Sequence, residues 1–168
     1  MKRLVTFGLA LYSFFLIKTN IPHLPPHIPT HFDAAGEANG WGRPHTLWFL
    51  LLVQVLICGL LLAVPFLGRR FPGMVNLGSR TLSDFTPAQR ERIMPWLTDM
   101  MEYMSVLVGI LFSILLRQTI RAALSSHPHF SRWWIGAFLI GVAAIVIYYL
   151  PRIFAAANEA GREKPGTF

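Results

Sequence analysis

Residues 46–68 form an apolar run of 23 residues without a single charge, with Pro44 just ahead of it and Arg69-Arg70 directly behind. As an α-helix rising 1.5 Å per residue, such a run covers the roughly 30 Å hydrocarbon core of a bilayer. Three further apolar stretches accompany it. Residues 4–17 are uncharged and follow Lys2-Arg3, residues 103–116 lie between Glu102 and Arg117, and residues 133–150 run from Trp133-Trp134 to Pro151. Soluble domains carry about 25% charged residues; this chain has 14%, with 54% hydrophobic residues and a mean hydropathy of +0.48. The expected fold is therefore all-α, an integral membrane four-helix bundle. It forms a single membrane domain over 1–168, with spans at about 4–20, 46–68, 96–117 and 133–151.

The first stretch is short for a span, but no small-x-small cleavage site follows it, and Lys2, Arg3 and Lys18 can snorkel to both interfaces, so an uncleaved first helix is expected. Pro65 with Gly68-Arg69-Arg70 should end the second helix, and Pro151-Arg152 the fourth. Trp133-Trp134 and Tyr148-Tyr149 mark interfacial belts on the fourth. In the loop 69–95, Thr86-Pro87-Ala88-Gln89 reads as a capping box that starts a short surface helix before Pro95. Gln54, polar within the second span, should bond to a neighbouring helix. Ser105, Gly109 and Ser113 recur every fourth residue, a small face expected to receive the fourth helix through Ala137 and Gly141.

The net charge of +7 does not indicate nucleic acid as a partner, because the basic residues flank apolar runs instead of forming one soluble face. Membrane lipid is the partner this pattern implies. With the N-terminus inside, Lys2, Arg3, Arg69, Arg70, Arg80, Arg90, Arg92, Arg152, Arg162 and Lys164 are inner, ten against the five outer residues Lys18, Arg43, Arg117, Arg121 and Arg132. The positive-inside rule then places both termini and the loop 69–95 in the cytoplasm. The three arginines near the third loop run against the rule, so either the orientation is imperfectly encoded or these residues have an outer partner.

The loop 21–45 is the most informative segment. Pro22, Pro25, Pro26 and Pro29 favour extended geometry, and Asp33, Gly36, Asn39-Gly40 and Gly42 bring turn chemistry, so a rigid but irregular Pro/Gly-rich outer loop is expected between the first two helices. His23, His27 and His31, near Asp33, suggest a metal site. At about 3.1 Å per residue in polyproline geometry they stand about 12 Å apart, and no metal is expected. Asp33 and Glu37 lack an accompanying nucleophile, and no metalloprotease, serine-hydrolase or phosphate-loop motif occurs. The single Cys58 excludes a disulfide framework and a cysteine cluster. A binding role without catalytic residues or cofactor is expected. Asp33 and Glu37 are candidate partners for Arg117, Arg121 and Arg132, whereas Asp99 and Glu102 either complement the third helix dipole or form a proton or cation site.

The string Leu24-Pro25-Pro26-His27-Ile28-Pro29-Thr30-His31-Phe32-Asp33-Ala34-Ala35-Gly36, continuing through Glu37, Gly40 and Trp41-Gly42 to Arg43, resembles the signature loop of the SdpI-like membrane family, whose N-terminal domain is domain-of-unknown-function family 1648. The likeness covers roughly residues 1–67, and Asn76-Leu77 with Pro87-Ala88-Gln89-Arg90 resemble the inner loop of short four-helix relatives. The resemblance implies a multi-pass protein of the bacterial inner membrane. It would act in immunity or signalling by binding a peptide toxin or another apolar ligand, with a membrane or cytoplasmic protein partner. Pro25, Pro29, His31, Phe32, Asp33, Gly36, Glu37, Gly40, Trp41, Gly42 and Arg43 would then form the ligand loop. A small ion-coupled transporter using Gln54, Asp99 and Glu102 is the alternative, and a membrane hydrolase the third.

Overall fold

Each apolar run becomes a helix, and each helix extends past the charges and prolines at its ends. In a computed structural model, which describes residues 1–162, α1 spans Lys2–Asn20, α2 Thr46–Arg70, α3 Pro87–Ala123 and α4 Trp133–Arg162. All four are long and apolar enough to cross a membrane. Lys164, counted above among the basic residues, lies outside the described residues.

Three boundaries differ from expectation. Pro65, Pro95 and Pro151 lie inside α2, α3 and α4 instead of ending them. A proline removes one backbone bond and crowds the preceding turn, a local cost that packing along the rest of a long helix can offset. The Thr86 capping box forms as read, with Gln89 N–H donating to Thr86 Oγ1 and Thr86 N–H to Gln89 Oε1. It starts α3 itself and not a separate surface helix, because Ile93, Met94 and Leu97, on either side of Pro95, are buried in one apolar cluster with Tyr149, Ile153, Ala157 and Ala160 of α4.

α3 is the hub: α1, α2 and α4 all pack on it. Its small face takes α1 and α2, not α4. Thr6 Oγ1 lies 2.9 Å from Ser105 Oγ, and Ser13 Oγ 3.1 Å from Ser113 Oγ. Gln54 Nε2 donates to Gly109 O at 3.4 Å, the expected interhelical bond, and Cys58 Sγ to Ser105 O at 3.4 Å. Ser105 and Ser113 donate to Glu102 O and Gly109 O of α3 itself, both at 2.8 Å, and Thr6 and Ser13 of α1 add the interhelical hydroxyl contacts, whereas residues 133–147 of α4 carry no polar side chain except the two indole N–H groups. α4 docks elsewhere on α3, with Gly141 against Leu107.

Around α4 the burial is uneven. Tyr149, Ile153, Ala157 and Ala160 are buried, yet no side chain from 133 to 148 is. The helix buries side chains at one end only and at the opposite end meets α3 along a shallow groove, so the four helices do not close into a symmetrical bundle.

The segment 21–45 corrects the all-α expectation. After a 3-10 turn at Ile21–His23, it folds into an antiparallel hairpin of β1, Ile28–Phe32, and β2, Ala38–Gly42. The ladder pairs Ile28 with Gly42, Pro29 with Trp41, His31 with Gly40 and Phe32 with Ala38, and its register shifts on both sides of His31. Prolines and glycines mask strand periodicity. They are tolerated here because a two-stranded sheet consists of edges, where a missing N–H costs little.

Candidate ligand recess beneath the hairpin

The hairpin lies across the ends of the helices at a small core of its own. Ile28 and Pro29 are fully buried, and Ile28 packs with Ile17 of α1, Leu47 of α2, and Leu116 and Ile120 of α3. This fixes one strand. The turn 33–37 is closed by Asp33, whose Oδ1 accepts N–H bonds from Ala35 at 2.8 Å and Glu37 at 3.0 Å. Gly36 has φ +90°, and a Cβ there would collide with the carbonyl of Phe130, so glycine is required on both counts.

That carbonyl belongs to the α3–α4 connection, which straps the hairpin tip down. Phe130 N–H donates to Gly36 O at 2.8 Å, Arg132 Nη1 donates to Ala34 O at 2.6 Å, and His129 Nδ1 lies 3.5 Å from Glu37 Oε1. The rings of Phe32 and Phe130 meet at 5.3 Å. Beneath the strap, where α4 stands clear of α2, is a recess of about 510 Å³. Leu50, Leu115, Phe130 and Ile135 form its apolar wall, and Thr30, His31, Asp33, Thr119 and Arg132 its polar rim. A second hollow, about 520 Å³, lies toward Trp41 and Phe49 and shares Thr30, His31, Leu50 and Thr119 with the first. An apolar wall with a few polar groups of both signs suits an amphipathic ligand.

The signature residues are therefore divided between scaffold and surface. Pro29, Asp33, Gly36 and Gly40 shape the hairpin; a Cβ on Gly40 would come within 2.8 Å of His31 Cβ. His31 and Trp41 are exposed on it, Trp41 by 56%, while Phe32 and Gly42 are partly buried. Pro25 is half-buried ahead of β1, and the exposed Arg43 contributes its carbonyl to Thr46 Oγ1 at the start of α2. Glu37 faces His129. Of the three arginines expected near the loop acids, only Arg132 reaches the hairpin, and it binds a backbone carbonyl. Arg117 and Arg121 are exposed on the other side of α3 from Leu115 and Thr119, without a carboxylate partner among the described residues. Asp33 lines the recess with Leu115 and Thr119, on the opposite side of α3 from these two arginines, and does not meet them.

Residues 8–55 match the family model of a domain of unknown function, DUF1648. The DUF1648 segment begins within α1 and ends within α2, so it contains the whole hairpin and Leu50, and the recess residues beyond the hairpin other than Leu50 lie outside it. No curated protein and no solved structure matches the chain. Leu115, Thr119, His129, Phe130 and Ile135 were not legible as site residues; the only signal was Arg132, an arginine at odds with the charge rule.

The opposite end holds the other acids. Lys2 Nζ is 2.5 Å from Asp99 Oδ1 and 3.6 Å from Glu102 Oε2, and Arg3 Nε is 2.6 Å from Glu102 Oε1. Both carboxylates thus tie α3 to the start of α1. Among the described residues, no three His, Cys, Asp or Glu side chains converge as a metal site.

Proposed function

We propose that this is a ligand-binding protein of the bacterial inner membrane, with both termini cytoplasmic and the hairpin outside, that captures an apolar or peptide ligand as SdpI-type immunity and signalling proteins do. The recess carries this reading. Its roof is the signature hairpin, its wall is apolar, and it opens beside the unburied half of α4, where a ligand can arrive from the outer leaflet. Ion-coupled transport is the weaker reading, since Asp99 and Glu102 are both engaged by cations of α1; because α3 starts at Pro87, both lie well beyond its first turn and do not complement the helix dipole as the sequence suggested. An enzymatic role is the third reading: Asp33 Oδ1 closes its own turn, and among the described residues no hydrogen bond joins His31 to the hydroxyl of Thr30 or Thr119 as a base joined to a nucleophile would be.

Two experiments test this. With Cys58 replaced by alanine, Ala35→Cys is expected to react with a membrane-impermeant maleimide in intact cells; reaction only after permeabilisation would place the hairpin inside. In membranes, a diazirine-bearing apolar hexadecapeptide is expected to crosslink to the segments holding Leu50, Leu115 and Phe130. Leu115→Trp, which fills the recess, should lower that yield at least fivefold. Labelling spread evenly over lipid-facing residues and unchanged by Leu115→Trp would refute ligand capture here.

A further inference from the structure

Arg117 and Arg121 have neither a carboxylate nor an aromatic partner among the described residues, although they stand at the membrane end of a long apolar helix. An arginine in that position needs an anion or water. Spacing shows which surface they crown. Ile110, Ile114, Arg117 and Arg121 follow one another at intervals of four, three and four residues, so they form one stripe along α3. The lower part of that stripe forms a wall of a separate apolar groove of about 130 Å³ between α3 and α4, lined by Leu107, Ile110 and Ile114 on one side and Trp134, Ala137 and Phe138 on the other.

The groove exists because α4 is not buried along this half and presents Ala137 where a larger side chain would fill the gap. Leu107 to Arg117 is about 15 Å along the helix, half of the roughly 30 Å hydrocarbon core, so the groove and its cations together span one leaflet. Trp134, half-exposed at the groove, is of the residue type that anchors at headgroup level.

We propose that this groove is a binding site for one anionic phospholipid, with the phosphate on Arg117 and Arg121 and an acyl chain between α3 and α4. Charge complementarity selects the occupant. A zwitterionic lipid would bring its ammonium group to the same two guanidinium groups, and a second copy of this chain would bring two arginines of its own against them. The site is separate from the hairpin recess, since Leu107, Ile110, Leu111 and Ile114 line this groove whereas Leu115 and Thr119 line the recess. The two can therefore fail independently.

The test is native mass spectrometry of the delipidated protein titrated with phosphatidylglycerol or with phosphatidylcholine of the same chains. The wild type is expected to retain one phosphatidylglycerol at least fivefold more often than phosphatidylcholine. Arg117→Gln with Arg121→Gln, and separately Ala137→Phe, should abolish that preference, and Arg117→Lys with Arg121→Lys should keep most of it and serve as the folding control. Equal retention of the two lipids by the wild type would overturn the site, and so would a glutamine pair that still prefers phosphatidylglycerol. Inorganic phosphate should not displace the lipid; if phosphate alone raises the melting temperature as much as phosphatidylglycerol does, the groove plays no part and the proposal fails. A dimer that Ala137→Phe dissociates, without any lipid retained by the wild type, would assign the groove to a second copy instead.

Discussion

The two ends of the molecule hold α4 in opposite ways. Away from the hairpin, Tyr149, Ile153, Ala157 and Ala160 close on Ile93, Met94 and Leu97, Gln89 Nε2 reaches Ala160 O at 2.5 Å, and α1 is fastened to α3 by ion pairs. At the hairpin end the same helix has no buried side chain over sixteen residues, 133–148, and two hollows open beside it. The fold is anchored at one end so that space can be left at the other. A site that must admit a ligand is built where packing on α4 is withheld, and its shape is kept by the small core under β1 and by hydrogen bonds to the strap.

The comparison can be broken most severely at the closed end. Ile93→Ala, a fully buried residue, should cost about 3 kcal/mol within the 2–5 kcal/mol range for such deletions, lowering the melting temperature in detergent and detaching α4. Ile135→Ala at the open end should cost less than about 1 kcal/mol by the same measurement, because its side chain is already 45% exposed. Gly36→Ala should cost about 1–3 kcal/mol locally, through its positive φ and the clash with the Phe130 carbonyl. It should raise hydrogen exchange at 33–37 and 127–131 while leaving 149–160 protected; uniform exchange across both ends would show that they are one cooperative unit.

Between the ends runs the hydroxyl seam of α1 and α3. Ser13→Ala should cost about 0.6 kcal/mol, the average for a hydrogen bond between membrane helices. Gln54→Leu is expected to be neutral or stabilising in the same melt, because Gln54 Oε1 is buried without a partner and leucine removes that unmet acceptor. Lys2→Ala should also have a small effect. Its bridge to the half-exposed Asp99 should contribute less than about 1 kcal/mol and fade as salt is raised.

How far the sequence could be read follows from what each feature depends on. Helix positions were legible because a 23-residue uncharged run has one outcome in a bilayer, and the Thr86 cap because its partner is three residues away. Gln54 was legible as an interhelical donor, but its acceptor was not. The docking of α4 on the Ser105–Gly109–Ser113 face was misjudged because small spacing is a statement about steric access, whereas Thr6 and Ser13 of α1 and Gln54 of α2 add hydrogen bonds to that face that Ala137 and Gly141 of α4 have no side chain to make. The hairpin was hidden because Pro29 and the glycines at 36, 40 and 42 leave no alternating pattern, and its pairing rests on partners up to fourteen residues apart. The recess was hidden more deeply, because Leu50, Leu115, Phe130 and Ile135 look like any other apolar residue until the chain brings them together.

By itself the sequence determined the number of apolar helices and the location of the signature turn chemistry, since transfer of uncharged runs into hydrocarbon and the φ demands of proline and glycine are local. The tertiary structure decided which faces meet, that α4 is held at one end only, and that two grooves remain. Those outcomes depend on satisfying buried hydroxyls and filling volume between segments about 100 residues apart, as between Thr6 and Ser105, and no local pattern encodes that balance.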